Sequence, residues 1–127
     1  MKEGLVTVLP CNDLDRTEGF FVRLGFRRES AHGDDFRTLV RDACGTILHL
    51  TRAVKDWLVP RKNPFGFYLH AKNVARIAKD FAGEIIERGQ APEHKPWGMY
   101  ELSLNAPDDT LVRVGWPSAL IDAVESR

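Results

Sequence analysis

Gly45-Thr46-Ile47-Leu48-His49-Leu50 and Asp109-Thr110-Leu111-Val112-Arg113-Val114 carry one pattern: a turn residue, a threonine, and an apolar strand with a single polar side chain at its centre. Each segment follows a short turn, Asp42-Ala43-Cys44-Gly45 or Ala106-Pro107-Asp108-Asp109, and each turn follows a run read as a strand, residues 36–41 or 97–105. Strand runs joined by turn-favouring residues predict a β-hairpin in both places. The pattern upstream recurs as well. In the first half, residues 5–9 read as a strand ended by Pro10. Asp15, with Glu18 three residues later, predicts a capped helix, and Leu14, Phe21 and Leu24 share its apolar face. Gly25 is placed to end that helix in a left-handed conformation. In the second half, residues 65–71 read as the strand and Asn73 as the cap. Val74, Ile77, Phe81 and Ile85 then recur at helical spacing until Gly89. The unit of strand, helix and hairpin thus occurs twice, at an offset of about sixty residues.

The chain has 127 residues, 43% of them hydrophobic, which suits a single α+β domain. Within it the repeat defines a first module at 1–52, a connector at 53–64 containing Pro60 and Pro64, a second module at 65–117 and a C-terminal segment at 118–127. Leu120, Ile121 and Val124 form a short apolar stripe in that last segment. Two open-edged sheets of this kind are expected to pair side by side and curve around a shared cleft. Lysine plus arginine and aspartate plus glutamate both number 18, so the net charge is zero and a nucleic-acid partner is not expected. No apolar run approaches the roughly 18 residues of a membrane helix, so no membrane partner is expected. Two cysteines are too few for a disulfide scaffold, and residues 1–10 lack a signal-peptide pattern; both point to the cytoplasm.

The hairpins also propose a site. A four-residue turn at Asp42–Gly45 sets Arg41 opposite Thr46 and Thr38 opposite His49, so Phe36, Thr38 and His49 share a face. The same arithmetic across residues 106–109 sets Asn105 opposite Thr110 and puts Tyr100, Leu102 and Arg113 on one face, with Gly115 leaving room opposite the Tyr100 ring. His49 and Arg113 then occupy equivalent positions, and polar side chains in mid-strand demand an explanation. Arg113 has an alternative role as the partner of Glu101 or Asp108 in a buried ion pair. Trp97, between Pro96 and Gly98, is placed to shape the rim of a binding surface, with core filling as its alternative. The four histidines are dispersed, and neither Cys11 nor Cys44 belongs to a Cys-x-x-Cys pair, so no metal cluster is expected and both cysteines read as small apolar fillers.

Several segments carry a family resemblance over nearly the whole chain: Phe20-Phe21-Val22-Arg23-Leu24-Gly25-Phe26, Asp34-Asp35-Phe36, Val40-Arg41-Asp42, Val59-Pro60, and Pro96-Trp97-Gly98 ahead of Pro107-Asp108. In these the chain resembles the bleomycin resistance proteins of the glyoxalase, bleomycin resistance and extradiol dioxygenase superfamily, also called vicinal oxygen chelate proteins. The resemblance implies two βαβββ modules and a homodimer with two clefts built from both chains. It implies that Phe36 and Trp97 stack on the flat part of a drug that is sequestered unchanged. The metal-ligand positions of the superfamily's enzymes carry over to Val6, His49, Gly66 (or Phe67) and Arg113. Only His49 can bind a metal, so no metal and no cofactor are expected. Arg113 and His49 would make the cleft positive, which leaves an anionic or neutral planar ligand open beside a cationic bleomycin. Asp109 stands where the family's turn usually has glycine, a residue that adopts the left-handed conformation more easily.

The leading expectation is therefore a metal-independent, homodimeric, antibiotic-binding protein whose site comprises Phe36, Thr38, His49, Trp97, Gly98, Tyr100, Leu102 and Arg113. A second expectation is an enzyme of the same fold, with His49 as general base and Arg113 holding a carboxylate or a developing oxyanion of a small carbonyl or carboxylate substrate. A third is an interaction domain whose cleft Phe36 and Tyr100 fill.

Overall fold

The computed structural model describes residues 3–125. The first repeat runs β1 (Thr7–Cys11), α1 (Leu14–Arg23), β2 (Phe26–His32), β3 (Phe36–Arg41) and β4 (Thr46–Arg52). The second runs β5 (Gly66–His70), α2 (Val74–Asp80), β6 (Glu93–His94), β7 (Met99–Asn105) and β8 (Leu111–Pro117), followed by α3 (Ser118–Glu125). Each repeat forms its own four-stranded sheet, ordered β1-β4-β3-β2 and β5-β8-β7-β6. In both, the first strand pairs in parallel with the last, and the remaining pairs are antiparallel. The chain divides into two compact units, residues 1–63 with 107–109, and residues 64–106 with 110–127.

In the first unit, α1 buries Leu14, Thr17, Phe20 and Phe21, and its C-cap Leu24 is buried too. Positions 14, 17, 21 and 24 follow the helical period and face the apolar side of the sheet, where Leu39, Leu48 and Leu50 are buried. Phe21 packs edge-on against Phe20 and Phe26, with ring centroids 5.2 and 5.5 Å apart. The helix begins earlier than the sequence suggests. Asp13, not Asp15, is the N-cap and accepts the Arg16 N–H at 3.1 Å. Starting at Leu14 brings that leucine into the core and leaves Asp15 to the Arg37 guanidinium at 2.6 Å. Gly25 ends the helix with φ +95°, as expected.

Two arginines of β3 lie on the buried side of the sheet and bracket the helix. Arg37 takes Asp15 and Glu18 of the first turns, and Arg41 Nε donates to the Leu24 carbonyl at the far end, 2.9 Å away. Buried cations are tolerable only when paired in this way. Pro10, read as a strand terminator, lies inside β1, where it is accommodated because β1 is an edge strand. Residues 26–32 carry no strand pattern in the sequence, because six of the seven residues of β2 are exposed and only Phe26 contributes to the core.

The second unit shortens its helix. α2 buries Val74 and Ile77 and ends at Asp80, with Phe81 as its buried C-cap; it does not continue to Gly89. Gly83, at φ +84°, turns the chain, Ile85 bridges to Leu104, and the Ile86 N–H donates to the Ser103 carbonyl at 2.9 Å. Ile85 is thus a core residue by strand contact rather than by helical phase. Asn73 occupies the cap position without a side-chain hydrogen bond to the helix. In α3, Ile121 is buried and Leu120 exposed; the Val124 side chain lies outside the described residues.

The Asp13 cap generates a stability prediction. Asp13→Ala should lower the free energy of unfolding by about 1 kcal/mol in chemical denaturation, the usual contribution of an aspartate N-cap.

Candidate functional site

In each sheet one face packs on its helix and the other is open. The first sheet follows the expected register: Arg41 pairs with Thr46 and Thr38 with His49. Phe36, Thr38 and His49 therefore share the open face, all half-buried. Phe36 lies diagonally across the ladder from His49, and their rings meet edge-on at a centroid distance of 5.0 Å. On its other side His49 pairs with Val8, which is 56% exposed.

The second hairpin is one residue out of the expected register. Asn105 pairs with Leu111, Ser103 with Arg113, Leu102 with Val114 and Tyr100 with Trp116. The loop closes between Ala106 and Thr110, whose backbone hydrogen bond is 2.8 Å, so it contains five residues and not four. A slip of one residue exchanges the two faces. Leu102 is consequently fully buried on the helix side with Leu104, Val112 and Val114. Tyr100 lies on that same side of the ladder, half-buried, with its ring 4.5 Å from that of His94. Only Arg113 of the three expected residues faces the open side. The loop holds Asp108 and Asp109 at φ +66° and +60°. The Asn12 N–H and side-chain amide donate to the Asp108 carboxylate at 3.0 and 2.9 Å, Asn63 donates to the Asp108 carbonyl, and the Arg61 N–H to the Asp109 carboxylate. These bonds offset the strain that the missing glycine would have avoided.

His49 and Arg113 do occupy equivalent places, each in the last strand of its unit and on its open face. Their neighbours on the parallel first strands are Val8 and Tyr68, in place of the carried-over Val6 and Gly66 or Phe67. Among the described residues, no group of three or more histidine, cysteine or carboxylate side chains converges on a metal-binding point.

The corrected register brings forward residues that the sequence pattern does not mark. Glu101, Tyr68 and His70 join Arg113 on the open face of the second sheet. Glu101 is only 1% exposed, although it lies in mid-strand on this face. Its Oε1 accepts two hydrogen bonds, from the Tyr68 hydroxyl at 3.0 Å and from Trp97 Nε1 at 2.8 Å. Glu101 therefore forms no pair of the kind proposed for Arg113, and Asp108 is engaged by Asn12. Tyr68 reaches Glu101 across β8 because Gly115 lies between them: a Cβ at Gly115 would collide with the Tyr68 hydroxyl and lie 2.8 Å from the Glu101 Cβ. The glycine does leave room for a tyrosine, but the tyrosine is Tyr68 and not Tyr100. Burial, the hydrogen bond to Glu101 and its negative charge push the Tyr68 phenol well above its ordinary range, against a smaller opposing effect of Arg113. The one sequence signal for this group is a glutamate in the middle of an apolar strand; the glycine comes to lie opposite it only in the observed register.

Trp97 sits in the turn that joins β6 to β7. Gly98 N–H donates to the Lys95 carbonyl at 3.0 Å, Lys95 N–H to the Met99 carbonyl at 2.7 Å, and Gly98 adopts φ +88°. Pro96 presets the turn and Gly98 supplies the left-handed residue, so Trp97 is displayed at the tip with 61% of its surface exposed.

The cysteines differ. Cys11 is buried, and burial raises its thiol pKa. Cys44 is exposed in the β3–β4 turn, so it is not a core filler. Partial burial works to raise its thiol pKa, yet hydrogen bonds with Thr46 and Arg41 outweigh this and lower it. A cleft of about 370 Å³ opens at the start of α1, beside Asn12, Asp15, Arg37 and Arg52. None of the expected site residues lines it, and its arginines are already paired, with Asp15 and Asp35.

No protein-family model and no curated protein sequence matches the chain. Solved structures do. A bleomycin-binding protein complexed with bleomycin superposes with a TM-score of 0.71 at 23% identity, over 91% of this chain and 98% of its own. A bleomycin resistance determinant encoded on the transposon Tn5 gives 0.74 at 24% identity, over the same shares, 91% and 98%. Lactoylglutathione lyase from Agrobacterium tumefaciens gives 0.67 at 20%, over 93% and 96%. The chain therefore has the glyoxalase/bleomycin resistance fold, an α+β architecture of two βαβββ modules. No helix among the described residues is long and apolar enough to cross a membrane.

The Glu101 group is testable through its packing and its titration. Gly115→Ala should destabilise the protein by about 1–3 kcal/mol in chemical denaturation, as overpacking does, and adding Tyr68→Phe should recover part of the loss by removing the colliding hydroxyl. The raised folded-state pKa of Tyr68 contributes stability that is fully present below pH 10 and is lost as pH rises above it. Denaturation midpoints measured from pH 9 to pH 12 should fall more steeply for the wild type than for Tyr68→Phe.

Proposed function

We propose that this protein binds a planar aromatic small molecule without a metal and sequesters it unchanged, in clefts at a homodimer interface. The observation that carries this reading is Trp97: an indole 61% exposed to solvent yet held in one orientation by a buried carboxylate. A large ring fixed at the surface loses little conformational freedom when a flat ligand stacks on it. Phe36 and His49 offer a second aromatic surface on the open face of the first sheet, with Thr38 beside them. Gly98 shapes the Trp97 turn, and Arg113 supplies a charged group on the open face of the second sheet. Leu102 and Tyr100 are left out of the ligand face by the register. The same fold in a bleomycin-binding protein complexed with bleomycin supports the choice of probe.

Glu101 changes the electrostatic expectation. The open face of the second sheet presents a buried carboxylate as well as Arg113, so a cationic planar ligand is no longer disfavoured there. Titration of tryptophan fluorescence with metal-free bleomycin should show saturable quenching in the micromolar range or tighter. Trp97→Phe, followed by calorimetry, should weaken binding by about tenfold, the loss of about 1.4 kcal/mol of stacking and contact. An unchanged signal up to millimolar bleomycin would remove that drug as a ligand. Drug modification during the titration, or about one tightly held metal per chain with an activity abolished by His49→Ala, would overturn sequestration itself.

A further inference from the structure

We propose that Glu101 is a positioning residue of the ligand face, holding Trp97 and Tyr68 on one carboxylate oxygen so that Tyr68 is a further aromatic wall beside Trp97. The inference rests on the reading of Trp97 as a ligand-stacking residue and extends it to two residues outside the expected site. The turn Lys95-Pro96-Trp97-Gly98 fixes the backbone at Trp97 but leaves the side-chain torsions of an exposed indole undetermined. Tyr68, on the opposite edge strand, is 37% exposed, and its ring meets that of His70 edge-on at a centroid distance of 4.9 Å. Each ring has one strong donor, and both donors are directed to Glu101 Oε1, at 2.8 and 3.0 Å. Glu101 is rooted in the middle of β7, nearly inaccessible, and cannot move without disturbing the ladder. Two exposed rings from separate segments thus share one buried acceptor.

The cost of the arrangement argues for its use. Burying a carboxylate is unfavourable, and the indole and phenol that donate to it are both neutral. The strand beside it gives up a side chain altogether at Gly115 to let the Tyr68 hydroxyl pass. Packing alone would be served by an apolar residue at 101, with an ordinary residue at 115. What the carboxylate adds is a fixed orientation for two exposed rings, which lowers the ordering cost when a flat ligand binds.

The test uses Glu101→Leu, Glu101→Gln and Tyr68→Phe, each checked for folding by circular dichroism. In the free protein, the Trp97 indole N–H resonance is identified by its absence in Trp97→Phe. Glu101→Leu should shift this resonance and speed its solvent exchange about tenfold, and return the Tyr68 phenol to ordinary titration near pH 10, followed by ultraviolet absorbance. Glu101→Gln, whose amide oxygen still accepts, should keep the indole protected while the phenol titrates lower, since the charge is gone. If Glu101→Leu does not fold, this split response in Glu101→Gln carries the test. With metal-free bleomycin as probe, Glu101→Leu and Tyr68→Phe should each weaken binding about tenfold, and Glu101→Gln should restore most of it. An indole resonance unmoved in a folded Glu101→Leu, or a phenol unchanged in Glu101→Gln, would overturn the proposal. So would wild-type affinity in Tyr68→Phe. If the wild type binds no bleomycin while the two rings still respond together to Glu101, the positioning stands and the bleomycin reading fails.

Discussion

A single backbone hydrogen bond, from the Ala106 N–H to the Thr110 carbonyl, decides which side chains the second sheet presents to solvent. It closes the β7–β8 loop at five residues, and because side chains alternate along a strand, loop length sets the identity of the whole face. With five residues, Leu102 and Leu104 point to α2 and Glu101, Arg113 and Gly115 point outward. With four, Leu102 would share a face with Arg113, and Glu101 would share one with Val112 and Val114, which puts a glutamate in the apolar core. The burial free energy of that core therefore reinforces the loop, and the two constraints select the same register.

The two units solve the problem of docking a helix on a sheet differently. In the first, ten residues of helix are held at both ends by arginines of β3, Arg37 on acidic side chains and Arg41 on a cap carbonyl. In the second, α2 has seven residues, and the chain after it turns back so that Ile85 and Ile86 contact β7 directly. Glu87 continues this contact by accepting the Ser103 N–H and hydroxyl and pairing with Lys95 at 3.2 Å. Burial works to raise its pKa, but these partners hold the carboxyl below its ordinary value. The backbone topology is the same in the two units, while the polar groups that hold it have diverged. That divergence leaves a mainly apolar open face in the first unit and a charged, hydrogen-bonded one in the second.

Exposure and order are combined at Trp97. Surface aromatic residues are usually either free to reorient or partly buried to stop them. Here the ring stays exposed while its polar edge is fixed, a division that an indole permits because its single N–H lies at one end of an otherwise apolar plane. The same applies to Tyr68 and its hydroxyl.

Residues close in sequence determined the repeat, the turn chemistry at Asp42–Gly45, the end of α1 at Gly25 and the first hairpin's register, since each depends on local periodicity and turn preference. Local pattern alone therefore suffices to put Phe36, Thr38 and His49 on one face. The tertiary structure decided what depends on distant partners. Asp15 leaves the cap because Arg37, 22 residues on, draws it away. Residues 85–89 leave the helix because β7 offers backbone acceptors. The second loop takes a fifth residue while Asn12, Arg61 and Asn63 hold two aspartates in left-handed conformations. The Glu101 group arises from that last choice: three strands and a turn bring Tyr68, Trp97 and Gly115 to one carboxylate, and their sequence spacing follows no local period that could have announced them.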